Sequence, residues 1–433
     1  MRPLFTTNAL REVFGGEALL QGMLDFEAAL ARAEARVGFI PESAAVAVEA
    51  QCRASLYDFA ALSEEASVAG NLAIPLLKAL KARDPEAAAF VHRGATSQDA
   101  IDTGLVLQLR KALGLIEAEL AGLASSLASL ASDHRSTAIA GRTWMQQALP
   151  ITLGLKAASW LDGLTRHRRR LRELRKSVQV LQLGGAAGTL AAFEGQGLRI
   201  AAELASELDL TLPDLPWHTQ RDRLAECATT LGLLAGSLGK IARDLSLLSQ
   251  TELGELNEPS EAGRGGSSTM PQKRNPVACA VALSAAIRVP PLVSTMLSAM
   301  VQENERGLGG WHAEWETLPQ IVQLTGGALS QLKHAFAAPD IDTGRLAANL
   351  ELTHGLILAE AAVTRLTAAL GRKAAQAIVE AASRKALKER RPLRDFLGEQ
   401  LTAAELDQLF NPAHYLGEAN ALIDRALAAH HAE

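Results

Sequence analysis

The stretch that decides the fold is Val106–Leu130, VLQLRKALGLIEAELAGLASSLASL. Its apolar residues Val106, Leu109, Leu113, Ile116, Leu120, Leu123, Leu127 and Leu130 recur in alternating steps of three and four, the spacing that lines up side chains along one face of a long helix. Working outward, the same seam returns twice. One copy runs through Leu231, Leu234, Leu238, Ile241, Leu245 and Leu248; the other runs through Trp160, Leu164, His167, Leu171, Leu174, Val178 and Leu181. Three long striped helices, separated in sequence, predict a bundle whose members lie side by side at shallow angles. Small residues crowd the seams, as in Ala121, Gly122, Ala124, Ser125 and Ser126, so further helices can approach on more than one face.

Composition agrees with this class. Aromatic residues make up 4% of the 433, and β-branched clusters bounded by turn signals are scarce, so the chain reads as all-α. Its length suggests more than one domain. The reading is an N-terminal helical domain over 1–104, a central long-helix domain over 105–349 and a C-terminal domain of shorter helices over 350–433. Breakers punctuate the pattern at Pro41, Pro75 and Pro85, at Gly184–Gly188, at Pro213 and Pro216, and at Pro290-Pro291.

Several function classes are excluded by charge and pattern. The net charge of −5 is spread over both signs, and the one dense basic run, Arg166–Arg170, sits on a helix as a solvated face, so no nucleic-acid partner is expected. No uncharged run reaches the ~18 residues that would span a bilayer, and Met1–Phe14 lacks the apolar core of a signal peptide. Cys52, Cys227 and Cys279 stand far apart, without metal-ligand spacing. Buried free thiols in a cytoplasmic protein are expected, with no metal and no organic cofactor.

The chemistry is concentrated in Gly263–Pro276, GRGGSSTMPQKRNP, which is too long and polar for a plain helix connector. Gly265 and Gly266 confer mobility, Ser267 and Ser268 offer hydroxyls for proton transfer, and Lys273, Arg274 and Asn275 offer donors to an oxyanion. This loop resembles the G-S-S-x-M-P-x-K-x-N-P signature of the fumarase/aspartase superfamily. His92–Gly104 (HRGATSQDAIDTG) and Gly141–Pro150 (GRTWMQQALP) resemble that superfamily's other shared segments, in the expected order.

The resemblance implies a homotetramer with a core of long helices from four subunits, and active sites each shared between three subunits. It also implies roles by position. Ser267 would transfer the proton, and Lys273 with Asn275 would stabilise an aci-carboxylate intermediate. Thr96 and Ser97 would bind a substrate carboxylate, while Arg142, Thr143 and Trp144 would line the pocket with Met270. His92, Gln220 and Arg306 would be further substrate ligands. Removing or adding a proton beside a carboxylate creates a dianion, so such a site needs preorganised donors more than a strong base.

The substrate is read from one departure. Where adenylosuccinate lyases, argininosuccinate lyases and typical fumarases carry histidine, this chain has Trp144, whose indole donates a hydrogen bond but cannot deliver a proton near neutral pH. A reaction whose adding or leaving group is a carboxylate, with a pKa of about 4, needs no such acid. That is the chemistry of the superfamily's carboxymuconate cycloisomerase branch, which Pro216–Arg223, Glu305–Trp315 and Leu352–Glu360 also resemble. The expected substrate is therefore a small tricarboxylate. A C–N lyase releasing fumarate, of the adenylosuccinate or argininosuccinate type, is the alternative. Asp99 and Asp102 read as charges at a helix start, not as catalytic carboxylates, and Glu252 and Glu255 as a polar end to the second seam.

Overall fold

The computed structural model describes residues 2–433, and the chain is overwhelmingly helical. The seams lie on the long helices Ser97–Asp133, Leu153–Val178 and Asp222–Leu248, except that the helix of the seam read through Leu181 ends at Val178. All eight apolar residues of the first seam are buried, Val106 through Leu127 completely, as are those of the second. Two more long helices follow, Val277–Ala299 and Gly310–Ala337. The first runs unbroken through Pro290-Pro291, and the second contains Pro319.

Two compact units account for the chain. One collects residues 1–119, 169–238 and 281–330; the other collects 120–168, 239–280 and 331–433. Because all five long helices contribute residues to both, neither unit is continuous in sequence.

In the first unit, helix Gly16–Arg36 buries Leu20, Met23, Leu24, Phe26 and Leu30 and packs against helices Glu42–Gln51 and Gly197–Leu208. It meets helix Ser97–Asp133 at Gly22 and Gly104. A Cβ on Gly22 would stand 3.0 Å from the Gly104 carbonyl oxygen, so the backbones approach as closely as glycine allows.

The second unit carries a feature the helical reading did not include, an antiparallel hairpin of β1 (Ala138–Thr143) and β2 (Gln146–Thr152). Trp144 and Met145 form its two-residue turn with φ of 51° and 65°. Positive φ at both positions is the type I′ geometry that fits the twist of paired strands, a geometry usually supplied by Asn-Gly. A second short pairing joins Leu256–Asn257 to Asp340–Ile341. The C-terminal helices Ala359–Leu370 and Arg372–Glu389 close over a core of Ala362, Leu366, Ala375, Val379, Ala382 and Leu393.

Helices Ser97–Asp133 and Val277–Ala299 are long and apolar enough to cross a membrane by length and composition. Neither holds an uncharged run of the ~18 residues a span requires: Arg110, Lys111, Glu117 and Glu119 interrupt the first and Arg288 the second. The three cysteines are free and buried, and burial raises all three thiols, Cys227 to about 12.

Candidate active site

The loop Gly263–Pro276 is closed at its neck. Asn275 N–H donates to the Gly265 carbonyl at 2.8 Å, and Gly266 bridges to Arg274. Gly265 has φ of 66°, and a Cβ there would sit 2.5 Å from the Asn275 oxygen, so only glycine fits the crossing. Arg274 is tied to Asp340 at 2.9 Å. Within this neck the tip presents Ser267. Its Oγ accepts backbone N–H groups from Thr269 at 3.3 Å and Met270 at 3.1 Å. Two amide dipoles aimed at one hydroxyl oxygen favour its alkoxide form. Met270, Lys273 and Asn275 are exposed, and the Lys273 ammonium has no hydrogen-bond or ion-pair partner among the described residues. The loop therefore offers a hydroxyl, a cation and an amide to something outside it.

The hairpin in the same unit holds Arg142, Thr143 and Trp144. Arg142 is not a free cation: its guanidinium grips Glu255 with both Nη atoms and also donates to the Ala140 carbonyl. Glu255 is fully buried and takes a further hydrogen bond from Asn349 Nδ2 at 2.8 Å, while Gln147 donates to the Asn349 carbonyl. Glu255 is thus the buried counter-ion that fixes the turn end of the hairpin, a structural role in keeping with the reading of it as no general base. Two residues on from Arg142, in the turn, Trp144 is 98% exposed.

The first unit gathers His92, Thr96, Ser97, Gln220 and Arg306. Ser97 starts its helix, and Asp99 Oδ2 accepts the Thr96 N–H at 2.9 Å, which is the helix-start role expected of Asp99. Asp99 does more than the sequence indicated. It also takes the N–H groups of Gly184 and Gly185, both at 3.0 Å, and His218 Nε2 at 2.7 Å, so one buried carboxylate fixes three segments around the Thr96-Ser97 turn.

Asp102 differs from the expectation. It sits inside the helix and pairs with Arg221, at 2.6 and 3.0 Å, while Arg221 also holds Glu314. Trp311 Nε1 donates to the same Asp102 at 3.0 Å. Gln98 donates to Asp102 and to the His218 carbonyl, and its Oε1 accepts from Arg306 Nε at 3.0 Å. Arg306 also donates to the carbonyls of Ala186 and Gly185. Thr219 Oγ1 ties the neighbouring segment to the Asn304 carbonyl at 2.9 Å, leaving Gln220 exposed. Apart from Gln98 and Asp102, the partners in this network lie between 85 and 209 residues apart in sequence, and no spacing rule connects them.

His92 stands at φ of 59°, with its Nδ1 2.6 Å from Glu27 Oε1. Burial works against its charge, but the Glu27 and Asp99 carboxylates together outweigh burial and the net effect raises the imidazole above its ordinary value.

A long-helix protein that displays a serine hydroxyl in an amide nest, a free ammonium and an amide on one glycine-necked loop is a helical lyase built for proton transfer at carbon. The comparisons agree. The family model "Lyase" matches residues 3–290, and "Adenylosuccinate lyase C-terminus" matches 355–426. The chain is 58% identical to a 3-carboxy-cis,cis-muconate cycloisomerase of Pseudomonas aeruginosa, covering 99% of this chain and 95% of that one. It is 54% identical to the Pseudomonas putida protein of the same name over 93% of this chain and 98% of the other. The crystal structure of 3-carboxy-cis,cis-muconate lactonizing enzyme from Pseudomonas putida superposes with a TM-score of 0.96 at 53% identity, covering 100% of this chain and 98% of that one. The chain belongs to the lyase family, that is, the fumarase/aspartase superfamily.

Proposed function

We propose that this chain is a 3-carboxy-cis,cis-muconate cycloisomerase, an intramolecular lyase of aromatic-acid catabolism that needs no metal or organic cofactor. The observation that carries the branch assignment is Trp144, an indole at the position that resembles the leaving-group acid of adenylosuccinate lyases. One substrate carboxylate oxygen adds to the conjugated diene, forming the ring C–O bond and moving an electron pair toward the neighbouring carboxylate. Lys273 and Asn275 stabilise the resulting aci-carboxylate. Ser267 then gives its proton to carbon, its alkoxide is held by the two amide N–H groups, and solvent restores the proton. The product is a carboxymuconolactone.

Thr96, Ser97, His92, Gln220 and Arg306 serve as ligands for the tricarboxylate, with Thr143, Trp144 and Met270 as further walls. Arg142, whose charge is engaged by Glu255, contributes by fixing the hairpin behind Trp144. The working form we propose is a homotetramer whose active sites are each shared between three subunits. Its support is the apolar surface one chain leaves open, including Ile287 at 72% and Val301 at 85% exposure, and the exposure of the loop residues that must surround substrate. The compartment we propose is the reducing cytoplasm, a reading supported by three buried free thiols.

The test is to mix purified protein, without added metal, with 3-carboxy-cis,cis-muconate and follow the diene's ultraviolet absorbance. Adenylosuccinate and argininosuccinate are assayed in parallel. Loss of the diene with lactone formed supports the proposal. Fumarate from a succinyl substrate, with the diene untouched, would establish the C–N lyase alternative instead.

A further inference from the structure

We infer that Glu27 is a positioning residue for substrate binding, holding the His92 imidazole in one orientation so that Nε2–H faces a substrate carboxylate. The inference rests on His92 being a substrate ligand, as proposed above. Glu27 lies on helix Gly16–Arg36, sixty-five residues from His92, and is 1% exposed. A carboxylate so deeply buried is costly unless paired. Its Oε1 meets His92 Nδ1 at 2.6 Å, and its Oε2 has no hydrogen-bond partner.

The neighbouring groups decide which partner carries charge. Glu34, two turns further along the same helix, is fully buried with both oxygens unpartnered. Burial first, and then Glu27, push its carboxyl up to about 8. Glu34 is therefore neutral at pH 7 and does not compete for the proton on His92. Arg93 faces Glu34 and lies over the Phe39 ring. Around His92 itself, burial and Lys81 oppose the charge, whereas Glu27 and Asp99 support it, and the supporting groups prevail.

Orientation is fixed as well as charge. His92 has left-handed backbone, which a residue other than glycine adopts only under tertiary constraint. The Glu27 contact occupies Nδ1, and Nε2 has no partner among the described residues. What remains is an N–H donor, four residues ahead of Thr96, with positive charge for an anionic ligand.

The experiment measures kcat and KM for 3-carboxy-cis,cis-muconate from pH 6 to 9 in the full-length protein. Glu27→Gln is expected to raise KM at pH 7 by about tenfold, the worth of one charge-assisted hydrogen bond, with kcat little changed. In wild type KM climbs as pH rises and His92 loses its proton; in Glu27→Gln that climb moves to lower pH. Glu34→Gln, equally buried but not touching His92, should leave KM between pH 6 and 7, where Glu34 is protonated, as in wild type. If His92→Gln raises KM while Glu27→Gln behaves as wild type, the role of Glu27 is overturned and the His92 reading stands. If His92→Gln leaves KM unchanged, His92 is no ligand and both readings fall. Should Glu27→Gln not fold, Glu27→Asp keeps the charge but shortens the reach: a raised KM with the wild-type pH profile supports the inference, and an unchanged KM overturns it.

Discussion

Arg142 and Glu255 form a two-pronged ion pair, Nη2 to Oε1 at 2.6 Å and Nη1 to Oε2 at 2.9 Å, with the carboxylate fully buried and Asn349 donating to the same Oε1. Removing one member of a buried pair strands the other. Glu255→Leu should therefore cost on the order of 3 kcal/mol in denaturant unfolding, and Arg142→Met a similar amount. The double variant Arg142→Met with Glu255→Leu should recover much of that loss, since neither charge then remains buried alone. If the two single losses simply add, the pair is not coupled as its geometry states.

Ser267 makes no side-chain packing contact that the fold depends on; its Oγ receives two backbone N–H groups at the tip of an exposed loop. Ser267→Ala should lower kcat by at least ~10³ while leaving KM within a few-fold and the unfolding midpoint unchanged. A variant that retains wild-type kcat would remove Ser267 from the proton-transfer role.

The seams were legible because helix burial leaves a periodic record: Val106 to Leu130 could be read at steps of three and four, and every member is buried. The Gly263–Pro276 loop was legible because its glycines, serines, lysine and asparagine fall within one short stretch. The hairpin was not, because β1 contains Gly141, β2 contains Pro150, and its turn is Trp-Met where local chemistry would place Asn-Gly. The Asp102–Arg221–Glu314 cluster was equally hidden. Its members meet only through tertiary folding across 119 and 93 residues, and each alone looks like an ordinary helix charge. Glu255 was read as a polar end to a seam, yet nothing in its neighbourhood in sequence names Arg142 as its partner.

That unusual turn carries its own test. Trp144 and Met145 both occupy left-handed backbone, which costs of order 1 kcal/mol or more per residue for side chains of this kind. Replacing the pair by Asn-Gly should leave the hairpin intact and raise thermal stability, by about 1–2 kcal/mol evaluated at Tm. If Trp144 is a wall of the site, the same replacement should lower kcat/KM. Stability and activity moving in opposite directions would identify strain retained for function. A loss of stability would instead show that the exposed indole is buried in the working assembly and contributes more there than its strained backbone costs.

Glu34 makes the last prediction, one of pH. Its folded carboxyl is raised to about 8 by burial and by Glu27, above the ordinary value of 4.5 that applies to an unfolded chain. A raised acid binds its proton more tightly when folded. Folding stability is therefore greatest below about pH 4.5 for this group, falls as pH rises because the unfolded chain gives up its proton first, and levels off above about 8. At pH 7 the penalty approaches the full pH interval above the unfolded value, roughly 3 kcal/mol. Glu34→Gln keeps the shape without the titration, so it should unfold at higher denaturant than wild type at pH 7 and 8 and at nearly the same denaturant at pH 4. Parallel stability profiles for the two proteins between pH 4 and 8 would mean that Glu34 is ionised in the folded chain, and that a partner for its two buried oxygens exists in the assembled protein.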